Sequence, residues 1–296
     1  MAKFIYDLLV PEEKANVIVF GAPVGKHSKS IENLRKESAF LEPFDLNKRF
    51  NLFDKIKVAD IGDIQLKTLD DITKKVKDIL VKNKVPAMLS GGHVASYFSI
   101  KAFDKDVKVV VFDAHCDSRD KYEDEYMRET TFVEGIKYDS QINPVTWFRR
   151  SSESRNPRNY FIIGIREGDE FELEYLEKNG IKFFTAQNMK EKFDELKEGL
   201  KDFVRKSKVY ISVDMDGFDP AFAPAVYHPE PGGFSYQEFV DLLSVFKDSQ
   251  IVGFDLVELK SIPNNNVTEF LATRVIFEIL KYISWKRIIN FKSVSI

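Results

Sequence analysis

Short runs of β-branched and aromatic residues alternate with longer charged stretches along the whole chain, and this alternation limits the fold more than any other feature. Strand candidates fall at residues 16–21, 57–62, 86–90, 108–112, 160–165, 182–185, 209–213 and 251–257. Between them, helices are expected over 66–83, 94–103, 169–179, 188–206 and 236–246, with a last one over 267–283. In the first of these, Leu69, Ile72, Val76, Ile79 and Leu80 recur at helical spacing, so one face is apolar. Strand–helix alternation of this kind builds a parallel sheet with helices on both faces. The runs at 109–112 and 162–165 are almost wholly apolar, as strands covered on both sides require. The expected fold class is α/β, a three-layer α-β-α sandwich around a mostly parallel sheet of roughly eight strands. No repeat, low-complexity tract or Gly/Ser linker interrupts residues 1–296, so a single domain is expected. Two irregular stretches, 118–158 and 217–235, are long enough to need a role.

Charge and hydropathy exclude several classes of partner. Lys and Arg total 44 against 47 Asp and Glu, a net charge of −3, which offers no nucleic-acid surface. No apolar run approaches the roughly 18 residues a membrane span needs. The first apolar stretch is short, carries Asp7, and leads into Pro11, Glu12 and Glu13 instead of a small-residue cleavage site, so no export signal is expected. The one cysteine, Cys116, cannot form an internal disulfide and fits a reducing compartment. A soluble, cytoplasmic protein is expected.

Ligands of open α/β sheets bind beyond the carboxyl ends of the strands, so the residues that follow each strand carry the functional signal. Gly91-Gly92-His93 follows the third candidate, Asp113-Ala114-His115-Cys116-Asp117 the fourth, and Asp214-Met215-Asp216 the seventh. His27 follows the first strand and His228 lies in the loop after Asp216, which puts all four histidines at one edge. In extended chain, residues two apart point the same way, so Asp113, His115 and Asp117 converge while Ala114 and Cys116 face elsewhere. Asp214 and Asp216 repeat that geometry. An isolated Asp-x-Asp after a strand serves as a cap or turn. Several such groups at one sheet edge are another matter, because four crowded carboxylates repel and need cations. Two divalent ions balance four carboxylates, and oxygen with imidazole and no thiolate suits a hard or borderline ion such as Mn²⁺. Gly91-Gly92 is not a phosphate loop, since no Gly-Lys-Ser/Thr follows.

These segments resemble the signatures of the arginase/agmatinase/formimidoylglutamase (ureohydrolase) superfamily. The similarity is carried by Ser-Gly-Gly-His at 90–93, Asp-Ala-His-Cys-Asp at 113–117, Ser-Val-Asp-Met-Asp-Gly-Phe-Asp-Pro at 212–220, Pro-Glu-Pro-Gly-Gly at 229–233 and Asp-Leu-Val-Glu at 255–258. It runs from about residue 88 to the final helix, and more loosely back to Gly21-Ala22-Pro23. The resemblance implies two Mn²⁺ ions: one on His93, Asp113, Asp117 and Asp214, the other on His115, Asp113, Asp214 and Asp216. A water shared by such ions loses a proton near neutral pH and attacks the guanidinium carbon. Asp117 would orient that nucleophile, and Glu258 would accept paired N–H bonds from the guanidinium. The products would be an amine and urea, or formamide from a formimidoyl substrate. Family members are homotrimers or homohexamers, so a homo-oligomer is expected.

Two departures from the pattern bear on substrate and proton transfer. The loop histidine that relatives use as a proton shuttle is missing from 126–132, where Arg128 stands in its place and stays protonated. The usual Gly-Thr-Gly-Thr is replaced by Ala225-Val226-Tyr227-His228. His228 or His27 is the candidate for the missing acid–base role. Arginine is disfavoured because 118–125 lacks the arginase Ser/Asn pattern, which leaves agmatine, cleaved to putrescine and urea, as the leading substrate. Arg119 and Arg128 would instead suit an acidic substrate, as in formimidoylglutamase. The expected substrate-binding residues are Glu258, Arg128 and His228. A metal-binding but catalytically silent relative is the non-enzymatic alternative.

Overall fold

All eight strand candidates pair into one sheet. In the computed structural model, which describes residues 2–5, 8–25, 28–122, 131–133, 136–137 and 139–292, the strands are β1 (Val17–Ala22), β2 (Val58–Asp63), β3 (Val85–Ser90), β4 (Lys108–Phe112), β5 (Tyr160–Ile165), β6 (Lys182–Thr185), β7 (Lys208–Asp214) and β8 (Gln250–Val257). Their order across the sheet is β6-β5-β4-β7-β8-β3-β1-β2, and every pairing is parallel. The helices are α1 (Ser28–Glu37), α2 (Leu52–Lys55), α3 (Asp70–Leu80), α4 (Val94–Ile100), α5 (Trp147–Glu153), α6 (Glu170–Lys178), α7 (Ala186–Glu191), α8 (Phe193–Val204), α9 (Tyr236–Leu243) and α10 (Val267–Lys292).

Strand pleating sends alternate side chains into separate cores and so makes the three layers. Val17, Val19, Val110, Phe112, Phe161 and Ile163 join one core, with α1, α2, α7, α8, α9 and α10 laid over it. Ile18, Phe20, Val109, Val111, Tyr160 and Ile162 join the other, covered by α3, α4, α5 and α6. Side chains mark several helix starts: reciprocal capping boxes join Asp169 with Glu172 at α6 and Ser235 with Glu238 at α9. Among the described residues, no helix is long and apolar enough to cross a membrane.

Some boundaries differ from the sequence expectation, each for a local reason. The helix expected over 188–206 is two helices, because Lys192 leaves helical geometry at φ −133° and ψ 43°. It also begins earlier, where the Thr185 side chain accepts the Asn188 amide. The helix expected from 66 starts at Asp70, since Asp71 accepts the amides of Lys67 and Thr68 and holds them in a turn. The stretch 118–158 is not irregular throughout, for it contains α5 and the short hairpin Thr131–Val133 with Ile136–Lys137. Helix α1 and the hairpin of Phe44–Asp45 with Phe50–Asn51 had no counterpart in the sequence reading.

The strand order places the motifs together. From β3 the chain crosses to β4, and the gap between them is filled later by β7 and β8. The four central strands therefore end side by side at a topological switch point, where α/β sheets open a crevice. His93, Asp113, Asp214 and Glu258 each lie just beyond, or at, one of those four ends.

Candidate metal centre

His93 caps α4 and is fully buried. Its Nδ1 lies 2.8 Å from Asp214 Oδ2, 3.1 Å from Asp113 Oδ2 and 3.8 Å from Asp117 Oδ2. Its Nε2 lies 3.0 Å from Ser212 Oγ, and that hydroxyl donates to Asp255 Oδ1 at 2.7 Å. Asp255 also accepts from the Tyr210 hydroxyl at 2.6 Å. Because Ser212 spends its proton on Asp255, the His93 hydrogen belongs on Nε2 and Nδ1 presents a lone pair. That buried Nδ1 has no hydrogen-bond partner among the described residues. A lone pair facing two carboxylate oxygens at such distances calls for a cation between them.

His115 repeats the arrangement on the other side of Asp113. Its Nδ1 is 3.2 Å from Asp216 Oδ2 and 3.5 Å from Asp113 Oδ1, while its Nε2 is 3.0 Å from Glu167 Oε2. Asp113 thus turns one oxygen to each histidine. Among the described residues three groups of ligand atoms lie close enough to share an ion: His93, Asp113 and Asp214; Asp113, His115 and Asp216; and, further out, His115, Glu167 and Glu230. Asp117 stands a little apart, its Oδ2 held at 2.7 Å by the indole Nε1–H of Trp147. Asp214 faces His93, and its Oδ1 takes the Asp216 amide at 2.9 Å.

The electrostatics agree with that reading of the geometry. Burial, and then the neighbouring Asp113 charge, push Asp117 well above the ordinary carboxylate range. Burial with Asp216 and Asp113 does the same to Asp214. Burial would also raise Asp113, but His93 and His115 hold it low. Burial disfavours charge on both imidazoles, yet Asp113 with Asp214 raises His93, and Asp113 with Asp216 raises His115. Such a field holds positive charge tightly, and its oxygen and imidazole donors fit a pair of hard or borderline divalent ions such as Mn²⁺.

Glu258 follows β8, is half-buried, and accepts the His93 amide on Oε1 at 2.6 Å. Burial pushes its carboxyl up to about 7. Both Glu258 and Asp117 have left-handed backbone, with φ of 57° and 48°. Non-glycine residues adopt that conformation uncommonly, and here both flank His93. His228 is exposed, with its ring 6.2 Å from that of His115 and nearly edge-on at 84°. His27 and Arg128 lie outside the described residues.

Sequence reasoning missed four residues around this centre. Ser212 sits two places before Asp214 on β7, so strand alternation alone puts it on the same face. Arg166 and Glu167 follow β5, where the strand-end rule would have found them. Trp147 comes from α5, and no local pattern ties it to the motifs.

Comparison with known proteins gives a consistent result. The model of the arginase family matches residues 15–281. The agmatinase of Bacillus cereus is 31% identical over 290 residues, covering 90% of this chain and 92% of that protein. The proclavaminate amidinohydrolase of Streptomyces clavuligerus is 28% identical over 288 residues, covering 90% and 87%. The crystal structure of agmatine ureohydrolase of Thermoplasma volcanium superposes with a TM-score of 0.82 at 28% identity, covering 97% of this chain and 96% of that one.

Proposed function

This chain belongs to the arginase family, and from that premise we propose that it is a manganese-dependent hydrolase cleaving agmatine to putrescine and urea. The observation that carries the proposal is the shared Asp113, which turns one oxygen to the Nδ1 of His93 and the other to the Nδ1 of His115.

In this reading His93, Asp113, Asp117 and Asp214 hold one ion, and His115, Asp113, Asp214 and Asp216 the other. Bound there, two divalent ions supply charge neutralisation and an acidified water. The protein supplies the rest. Asp117 orients the nucleophile by accepting its hydrogen bond. Glu258, at the end of the neighbouring strand, accepts the N–H groups of the guanidinium and presents its carbon to the crevice. His228, beside His115, donates a proton to the departing amine. His27 is the second candidate for that role, and Arg128 remains a candidate for substrate contact.

Agmatine is favoured by the 31% identical agmatinase and by the charge at the crevice mouth. Glu167 and Glu230 bring ligand oxygens to within 4.8 Å of each other and of His115, which suits a cationic tail better than a carboxylate. The family reading also has residues 1–296 fold as one domain and assemble as a homotrimer or homohexamer, which sedimentation equilibrium measures.

The deciding experiment is a manganese-loaded panel of agmatine, arginine, 4-guanidinobutyrate and formimidoylglutamate, scored for urea and formamide. Urea from agmatine, at a kcat/KM at least tenfold above the others, is expected. Formamide from formimidoylglutamate as the main product would replace the substrate assignment. Silence on every compound by a protein that has taken up two ions would remove the hydrolase.

A further inference from the structure

Trp147 is the largest fully buried side chain among the described residues, and it does more than fill the core. Its Nε1–H donates to Asp117 Oδ2 at 2.7 Å. Its ring lies against the His93 imidazole, the centroids 4.2 Å apart and the planes inclined at 31°. The next residue, Phe148, donates its amide to the Asp117 carbonyl at 3.1 Å. The first turn of α5 thus holds Asp117 by both side chain and backbone, at a position with left-handed backbone, φ 48°. A buried indole seeks an acceptor for its N–H, and an aspartate so held loses the freedom to turn its carboxylate plane. Among the described residues no hydrogen bond or ring contact joins Trp147 to His115 or Asp216, so its influence falls on the His93 side alone.

Resting on the metal-centre reading above, we propose that Trp147 is a positioning residue that fixes Asp117 and His93 and thereby sets the affinity of the His93-side cation site. It acts through those two ligands and touches neither substrate nor ion. The consequence is an asymmetric centre, with one half tied to α5 and the other independent of it.

The test is manganese binding, read by electron paramagnetic resonance of the free ion during titration of metal-stripped protein. Trp147→Phe keeps a ring against His93 and removes the donor. It should weaken one of two ions by about 10- to 100-fold, the usual effect of removing a group that orients a ligand, and leave the other unchanged. In an Asp117→Asn background, Trp147→Phe should add almost nothing, because its effect passes through Asp117. Equal affinity in parent and Trp147→Phe, parallel weakening of both ions, or full additivity in the double variant would each overturn the role. A second measurement needs no substitution. The chain has two tryptophans, and one indole ¹⁵N–H resonance should shift with a bound equivalent of diamagnetic zinc. Two unmoved indole resonances in a zinc-loaded protein would also overturn it. A parent that binds no ion defeats the metal centre itself, whereas a parent that binds two ions and ignores Trp147→Phe defeats only this role.

Discussion

Ser212 Oγ sits 3.0 Å from His93 Nε2 and donates its own proton to Asp255 Oδ1 at 2.7 Å, so this buried serine selects the tautomer of His93. The pairing follows from strand register, because Ser212 on β7 lies directly opposite Asp255 on β8. Ser212→Ala removes the acceptor and leaves the imidazole free to place its hydrogen on Nδ1. Manganese affinity should fall by about tenfold or more, while folding stability changes by only about 1–2 kcal/mol. Calorimetric titration of the variant with manganese checks this, and an unaltered affinity would show that the tautomer is chosen elsewhere.

Arg166 anchors the loops behind the centre. Its guanidinium donates to the main-chain oxygens of Gly164, Asp216, Gly217, Phe218 and Glu230. A fork of five N–H groups is needed to reach so many carbonyls, and a lysine supplies one compact ammonium instead. Arg166→Lys should therefore cost about 2–4 kcal/mol, the scale of losing charge-assisted bonds from part-buried carbonyls. The Asp216 loop would loosen with it. Guanidinium chloride unfolding measures the stability, and a variant as stable as the parent would contradict the clamp.

Asp45 gives a pH dependence of known sign. Its Oδ2 accepts from Lys281 Nζ at 2.7 Å, and its Oδ1 accepts the amides of Lys48 and Asn47. Burial alone would raise its pKa, but the Lys281 bond and the two amides outweigh burial and hold it below the ordinary 3.8. A carboxyl depressed by folding adds stability in full above its unfolded value and loses it as pH falls through the folded one. Unfolding free energy should therefore drop more steeply between about pH 5 and pH 3 in the parent than in Asp45→Asn. Parallel urea melts across that range decide it, and identical slopes would refute the linkage.

The parts of this protein that could be read from its sequence are those governed by period and position. Strand candidates such as 108–112 and 160–165 coincide with strands because unbroken apolar runs have few alternatives in a sheet covered on both faces. The convergence of His93, Asp113, His115, Asp214 and Asp216 was readable because each follows a parallel strand, and such strands all open at one edge. The break at Lys192 was not readable, since 188–206 keeps helical composition across it and only a backbone angle marks the division. The contact between Trp147 and Asp117 was hidden for a different reason: it spans thirty residues, crosses the stretch read as irregular, and depends on where α5 packs. Glu167 was overlooked although it follows β5, because an exposed glutamate beside an arginine carries no pattern of its own.

His228 is the residue we propose as the proton donor at this centre. Its ring stands 6.2 Å from that of His115, and its segment is fastened beside Glu258 by the bridge between Val226 and Leu259. Being exposed, it can exchange protons with solvent. His228→Asn keeps the size and a hydrogen-bonding edge but cannot carry a proton at neutral pH. If His228 protonates the leaving amine, kcat for agmatine should fall by about 10²-fold, the lower range for a lost general acid. KM should stay within about threefold, because in the proposed reading Glu258 accepts the guanidinium and the imidazole serves only the leaving amine. The limb of the pH–kcat profile that reports the acid should disappear, and added imidazole should restore part of the rate. A variant with the parent's turnover and the parent's profile would remove His228 from the reaction and leave His27 as the next residue to replace.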